Sequence, residues 1–207
     1  MIDEGYTKYR CDWRKTAAFS GGRLDALNAC RNRLYREGLV GYYAEHGVGF
    51  GNLSVRIPGT TRFLISGTQT GHIAQTGPEH YAIVTDYDIE ANRVGCEGPV
   101  QASSEALTHA AIYELDPDIG GIAHVHSAEL WSRLIDRIPT TSAEVPYGTP
   151  EMAHEFGRLY RDTDLPDRGV AVMAGHDEGI VAFGQDIEEA TERVLGLKDP
   201  GSAPMAE

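Results

Sequence analysis

The chain has 207 residues, and 18 lysine and arginine residues stand against 31 aspartate and glutamate residues, which gives a formal net charge of −13. Hydrophobic residues make up 41% and charged residues 24%, a globular composition that argues against disorder, collagen-like repeats and a disulfide scaffold. The excess of acidic residues disfavours nucleic acid as a partner, because a negative surface repels its phosphate backbone.

The sequence predicts one compact cytoplasmic domain. It has no apolar run near the roughly 18 residues of a membrane helix, and its start lacks the basic-then-apolar pattern of a signal peptide. Without repeats or linkers, residues 1–207 are predicted as a single domain with an extended N-terminal arm over 1–21 and a loose tail over 198–207. The 3 cysteines form no CxxC pair and indicate neither a disulfide framework nor a thiolate zinc site.

The first predicted elements are a helix and a hairpin. Apolar residues recur at three- and four-residue steps over 23–37, which predicts an amphipathic helix that ends before Gly38. Alternating apolar residues over 53–57 and an apolar run over 63–66 flank a Gly-Thr-Thr turn, a pattern typical of a β-hairpin. A further strand is predicted over 81–85.

The second half alternates predicted helices with strands. The predicted helices cover 105–115, 128–136, 150–161 and 187–195, and the predicted strands cover 120–126, 170–173 and 180–183. Interspersed elements with hairpin-like strand pairs favour an α/β sandwich with a largely antiparallel sheet over a doubly wound parallel sheet.

The most informative segment is His124-Val125-His126, on the predicted strand 120–126. Side chains two residues apart on a strand leave the same face, roughly 7 Å apart at the β-carbons, so both imidazoles can bind one metal ion. A third nitrogen ligand would complete a catalytic zinc arrangement, and nitrogen ligands suit Zn²⁺, Cu²⁺, Fe²⁺ or Ni²⁺ better than Mg²⁺. Two half-buried histidines on an edge strand are the commoner explanation of an isolated pair.

His176 is the best candidate for a third ligand, because it lies between two glycines in a turn that joins two short strands. A solvated loop histidine is the alternative. The remaining histidines are interpreted as structural or surface residues, namely His46, His72, His80, His109 and His154.

Polar loops offer candidate anion sites. Ser103 and Ser104 precede the predicted helix 105–115, whose free backbone N–H groups attract phosphate or carboxylate; simple N-capping is the alternative. The glycine-bearing loops 49–54 and 66–71 also allow backbone amides to approach an anion. Glu105 in the first helical turn is a candidate proton-transfer base beside a metal ion, or else an ordinary helix-start glutamate.

Five motifs in order resemble the class II aldolase and adducin family: Gly51-Asn-Leu-Ser-Val-Arg56, Thr70-Gly71, Ala102-Ser-Ser-Glu105, His124-Val-His126 and His176. The ordered set is far more specific than any one motif, and the resemblance covers nearly all of the chain. It implies a three-layer α/β/α sandwich around a mainly antiparallel central sheet.

The resemblance also implies roles for individual residues. It implies that His124, His126 and His176 bind Zn²⁺ and that Glu105 is the catalytic acid/base beside the metal ion. The implied reaction is metal-assisted retro-aldol cleavage of a small phosphorylated ketose through an enediolate, without a Schiff-base lysine. A homotetramer with sites between subunits is implied too. The implied phosphate-binding residues are Asn52, Thr70, Gly71, Ser103 and Ser104.

Two segments depart from the family pattern. The tyrosine that protonates the leaving aldehyde in the family's aldolases has no clear counterpart; Tyr147 is a candidate, with packing as the alternative. The segment of the third ligand is His-Asp-Glu-Gly in place of His-Gly. The other functions considered are an epimerase, a dehydratase or a decarboxylase with the same metal ion and enolate, and a non-catalytic interaction module like the adducin head.

Overall fold

An eight-stranded sheet lies at the centre of the protein, whose computed structural model describes residues 7–199. Its strands are β1 (Arg10–Lys15), β4 (Asn52–Arg56), β5 (Phe63–Ser66), β6 (Tyr81–Asp88), β7 (Arg93–Gly98), β8 (Gly121–His126), β9 (Val170–Val172) and β10 (Gly179–Gly184). Their order across the sheet is β1-β7-β6-β5-β4-β8-β10-β9. The edge pair of β1 and β7 is parallel, and the other pairs of this sheet are antiparallel. The short strands β2 (Gly41–Tyr43) and β3 (Val48–Phe50) form a separate ribbon.

Helices cover both faces of the central sheet. They are α1 (Gly22–Arg36), α2 (Ala106–Leu115), α3 (Ala128–Leu134), α4 (Pro150–Asp162), α5 (Leu165–Arg168) and α6 (Ile187–Gly196). The buried residues of α1, α3 and α6 share one hydrophobic cluster, and those of α2, α4 and α5 share the other. This confirms the predicted three-layer sandwich with a mainly antiparallel sheet. Within residues 7–199, every helix is too short or too polar to span a membrane.

Strand alternation assigns each side chain of β8 to one of the two clusters. Ala123 and Val125 belong to the cluster of α1 and α6, and Ile122 belongs to the cluster of α2 and α4. Successive side chains on a strand point to opposite faces, so His124 and His126 leave the same face, as the sequence predicted, and this face is the α2 side. The two histidines are 1% and 2% exposed, which corrects the alternative of half-buried histidines on an edge strand.

Four features of the fold were not predicted, namely two strands of the central sheet, one ribbon and one short helix. The strand β1 lies within the arm expected over 1–21 and pairs with β7 along its whole length. Its alternating residues Cys11 and Trp13 pack against the core, a short signal that the sequence analysis did not use. The strand β7 contains two glycines, which lower strand propensity. The other two are the ribbon of β2 and β3, whose strands have 3 residues each, and α5, which has 4. The predicted tail lies mostly outside the described residues.

One further detail corrects the sequence analysis, and a second adds a contact that it did not predict. Glu105 is the N-cap residue of α2 and no side-chain bond caps the helix, whereas the two preceding serines were expected to do so. The hydroxyl of Ser103 instead accepts a hydrogen bond from the backbone N–H of Glu105 at 3.3 Å. Cys11 and Cys96, distant in the sequence, bring their Sγ atoms to 3.6 Å as free thiols.

Candidate metal centre and polar pocket

Three histidine side chains converge on the α2 side of the sheet. His124 and His126 come from β8, and His176 comes from the turn that connects β9 to β10. The ring centroids lie 4.9 Å apart for His124 and His126, 5.0 Å for His124 and His176, and 4.7 Å for His126 and His176. The structure therefore brings together the three ligands that the sequence nominated.

The turn of His176 is shaped to bring its imidazole to β8. The backbone N–H of His176 donates to the carbonyl of Met173 at 3.2 Å, and that of Gly179 donates to the carbonyl of His176 at 2.9 Å. A β-carbon at Gly179 would lie 3.3 Å from His124 Nε2, so a side chain there would crowd the cluster. At 3% exposure, His176 is not the solvated loop histidine that was the alternative.

The donor set fits a transition-metal ion. One ligand atom from each histidine lies within 4.8 Å of the others, and His124 Nε2 is buried without a hydrogen-bond partner. Burial and the neighbouring histidines hold the pKa of His124 well below its usual range, and burial and His176 do the same for the pKa of His126. Neutral imidazoles are the form that binds metal ions.

Polar side chains contact the Nδ1 atoms of both β8 histidines. The amide nitrogen of Asn52, a residue paired with His124 across β4 and β8, lies 3.1 Å from His124 Nδ1. Tyr43 Oη lies 3.3 Å from His126 Nδ1 and donates to Glu178 Oε2 at 2.5 Å. The sequence analysis did not nominate Tyr43 or Glu178.

A polar cavity of about 150 Å³ opens beside the histidines. A cavity of this size holds several water molecules and is large enough for a small anionic group. Glu105, which is 2% exposed, lies in its wall. All five nominated anion-binding residues line it, together with His124: Asn52, Thr70, Gly71, Ser103 and Ser104.

Close backbone packing and the guanidinium of Arg31 hold the loop of Thr70 and Gly71 in place. A β-carbon at Gly71 would overlap the carbonyl oxygen of Gly41 and lie 2.7 Å from the Cα of Gly49, so the close approach of these loops requires glycine. The guanidinium of Arg31, from α1, donates to the carbonyl of Thr70 at 3.0 Å and to that of Gly71 at 3.3 Å. Arg31 is 1% exposed and occupies the buried stripe of α1, a signal that the sequence analysis missed.

Tyr147 contacts the candidate metal centre through its ring. The ring stacks on His176 with centroids 4.2 Å apart and an interplanar angle of 19°, and it is 4% exposed. Lys8 Nζ lies 3.8 Å from the centroid of the same ring. Tyr147 therefore packs against His176, the third candidate ligand, and the N-terminal segment contributes Lys8, which the sequence analysis did not nominate.

Residues 26–199 match the family described as the class II aldolase and adducin N-terminal domain. The chain belongs to this family. The resemblance inferred from the ordered motifs is thereby confirmed.

Two curated relatives carry names of different reactions. The 3-oxo-tetronate 4-phosphate decarboxylase of Haemophilus influenzae is 28% identical over 167 residues, which are 73% of this chain and 74% of the relative. The methylthioribulose-1-phosphate dehydratase of Gluconacetobacter diazotrophicus is 26% identical over 199 residues, which are 86% of this chain and 89% of the relative. The names of these family relatives thus include more than one reaction.

Solved structures of the family share the fold. An L-fuculose 1-phosphate aldolase superposes with a TM-score of 0.65 at 20% identity and covers 87% of this chain and 84% of its own. A sugar-phosphate aldolase from Thermotoga maritima gives a TM-score of 0.65 at 18% identity and covers 87% of this chain and 91% of its own. At these identities the likeness concerns the fold alone.

Proposed function

We propose that the protein is a zinc-dependent lyase that cleaves a carbon–carbon bond of a small phosphorylated ketose by a retro-aldol reaction. The observation that supports this most strongly is the cluster of His124, His126 and His176 beside a cavity whose wall includes the buried Glu105. A bound divalent metal ion would supply Lewis-acid stabilisation of negative charge that develops on substrate oxygen atoms.

Glu105 is proposed as the acid/base of this reaction. Its carboxyl group would deliver a proton to the substrate carbon atom next to the carbonyl group after cleavage, and would remove that proton in the reverse direction. With only 2% of Glu105 exposed, bulk water has little access to the residue, which limits loss of the proton to solvent.

The anion of the substrate is proposed to bind at the N-terminal end of α2. Ser103 and Ser104 line the cavity directly before this helix, and Thr70 and Gly71 line it from the facing loop. Backbone N–H groups and the helix dipole favour negative charge at this position. The hydroxyl and backbone amide groups at this position are neutral hydrogen-bond donors, and they would hold a phosphate without an ion pair.

Decarboxylation is the second candidate reaction. The relative from Haemophilus influenzae named as a decarboxylase is 28% identical to this chain. Tyr147 stacks between Lys8 and His176, an arrangement that supports a packing role and leaves no assigned base for the hydroxyl proton that retro-aldol cleavage releases. Decarboxylation breaks the bond to a carboxylate, which carries no such proton, so it needs no such base.

Product analysis on a panel of ketose phosphates and 3-oxo acid phosphates tests the proposal. An aldolase yields two carbon-containing fragments of which one is an aldehyde, and a decarboxylase releases carbon dioxide. An epimerase or a dehydratase keeps the carbon skeleton whole. Absence of turnover with every compound, in metal-loaded protein, would instead favour a non-catalytic module.

Glu105→Gln should lower turnover roughly 100- to 10,000-fold, the usual contribution of a general acid/base. Zinc content should stay unchanged, because the nominated ligands are the three histidines. Glu114→Gln is the matched control, since Glu114 lies on the same helix and is exposed. Equal turnover of the Glu105 variant and the parent would show that this carboxylate moves no proton in the reaction.

The assembly is proposed to be a homotetramer, in keeping with the resemblance to the family's aldolases. Light scattering on the purified protein measures the mass directly, and a monomeric mass would contradict this part of the proposal.

A further inference from the structure

Beyond the three nominated ligands, a chain of hydrogen-bonding groups ends on His126. Glu178 Oε2 accepts from Tyr43 Oη at 2.5 Å, and Tyr43 Oη lies 3.3 Å from His126 Nδ1. The three residues come from β2, β8 and the turn before β10, so tertiary structure alone brings them together.

The backbone fixes both partners relative to β8. The N–H of His126 donates to the carbonyl of Leu39, just before β2, at 3.0 Å, and the N–H of Ser127 donates to the carbonyl of Glu178 at 3.0 Å. Glu178 has a φ of 65°, a left-handed conformation that is uncommon outside glycine. The structure thus holds Glu178 in an unfavoured backbone conformation that directs its carboxylate to Tyr43.

Aromatic packing restricts the tyrosine further. The ring of Tyr43 lies 4.4 Å from that of Phe50, and the ring of Phe50 lies 5.5 Å from that of His126. Tyr43 is therefore positioned by ring contacts as well as by its hydroxyl group.

The donors and acceptors of these three groups fix the direction of the two hydrogen bonds. An ionised carboxylate only accepts, so the single hydroxyl proton of Tyr43 goes to Glu178. The Tyr43 oxygen is then an acceptor toward His126, which places the imidazole proton on Nδ1 and leaves the Nε2 lone pair available.

We propose that Tyr43 and Glu178 are positioning residues that set the tautomer and orientation of His126 and so raise the affinity of the centre for its metal ion. The inference rests on the metal site of the proposed function. It also gives a role to the Asp-Glu insertion between His176 and Gly179, which distinguishes this chain from the family pattern.

The test is the Zn²⁺ dissociation constant, measured by competition with a chromophoric chelator. Tyr43→Phe keeps the ring and should weaken zinc binding roughly 10- to 100-fold, the usual effect of removing an outer hydrogen-bond partner. Glu178→Gln should also weaken binding. Because Glu178 acts through Tyr43, the two losses should not add. The Zn²⁺ dissociation constant of the double variant should equal that of the single variant with the larger loss.

Matched controls come from the neighbouring positions. Tyr42→Phe changes the adjacent tyrosine, which is 42% exposed, and Asp177→Asn changes the adjacent exposed carboxylate. Both should bind zinc like the parent. The Co²⁺-loaded Tyr43→Phe protein should additionally show a shifted visible absorption band, because the orientation of one ligand changes.

The outcomes separate this inference from the proposed function. If Tyr43→Phe and Glu178→Gln bind zinc as tightly as the parent does, the positioning role is overturned and the metal site stands. A parent that binds no zinc overturns the metal site itself. Thermal unfolding of the metal-free variants checks the fold, and if one single variant fails to fold, the other decides.

Discussion

The buried guanidinium of Arg31 supports one wall of the polar cavity. We expect Arg31→Met to lower the free energy of unfolding by about 3 kcal/mol, because backbone carbonyls of the 70–74 loop lose charge-assisted hydrogen bonds in a buried setting. The Michaelis constant for a phosphorylated substrate should rise as the loop loosens. Urea unfolding and steady-state kinetics measure the two effects.

Arg33→Met is the control for this change. Arg33 lies on the same helix, its side chain is 45% exposed and it pairs with Glu192, so its loss should lower the free energy of unfolding much less than the loss of Arg31 does. If both variants unfold at the same urea concentration, the buried bonds of Arg31 contribute little to stability.

His109 should make stability depend on pH. Burial lowers its pKa to about 3 from an ordinary value of 6.5, so the folded protein keeps it neutral where the unfolded chain protonates it. The unfolded state binds more protons between these values, and stability therefore falls as the pH drops below 6.5, by up to about 1.4 kcal/mol per pH unit.

Unfolding of the parent and of His109→Gln at pH 7.5 and pH 5 measures this contribution. The variant should lose about 2 kcal/mol less than the parent over that interval, the linkage expected for this pKa difference. Glutamine retains a polar group near the Ser54 hydroxyl, which lies 2.7 Å from His109 Nδ1. If the parent and the variant lost the same free energy of unfolding between the two pH values, the lowered pKa of His109 would be contradicted.

The candidate site was largely predictable at the level of single residues. Strand periodicity placed His124 and His126 on one face, and their position on the α2 side agrees with it. The contact of Tyr43 with Glu178 could not be predicted, because 135 residues separate them and no sequence pattern connects them. Arg31 was detectable in principle, as a charged residue in the apolar stripe of α1.

At the scale of elements, the N-cap of α6 offers a direct test of local stability. Asp186 Oδ1 accepts from the backbone N–H of Glu189 at 2.7 Å. Asp186→Ala should cost about 1 kcal/mol, whereas Asp186→Asn should cost little, because asparagine caps nearly as well. Thermal or urea unfolding measures both, and equal losses would show that the cap does not stabilise this helix.

Elements with a strong periodic pattern were predicted closely, and edge elements were not. The helix expected over 23–37 is observed at Gly22–Arg36, and the strand expected over 120–126 at Gly121–His126. The edge strand β1 has a mostly exposed polar sequence, so its pairing with β7 depends on partners distant in sequence. The alternation of Cys11 and Trp13 with charged residues is too short to identify such a strand, and hydrogen bonding to the neighbouring strand decides it.

At the scale of the whole molecule, the antiparallel sheet assembles the site from separated segments. Asn52 of β4 pairs with His124 of β8, and Gly179 of β10 pairs with His126. These registers bring the cavity wall, two of the candidate ligands and the turn of the third ligand to one end of the central strands. The family and its fold were predictable because the motifs keep their order along the chain. The reaction was not predictable in the same way, because relatives that share the family carry the names of different reactions.

The central claim is that the three histidines bind a metal ion. The direct measurement is elemental analysis of protein purified without a metal-chelating tag, beside the double variant His124→Ala, His126→Ala and the control His154→Ala, whose side chain is 60% exposed. We expect a near-stoichiometric transition metal in the parent and the control, and its loss in the double variant. A metal-free parent that also fails to bind added zinc would contradict the claim.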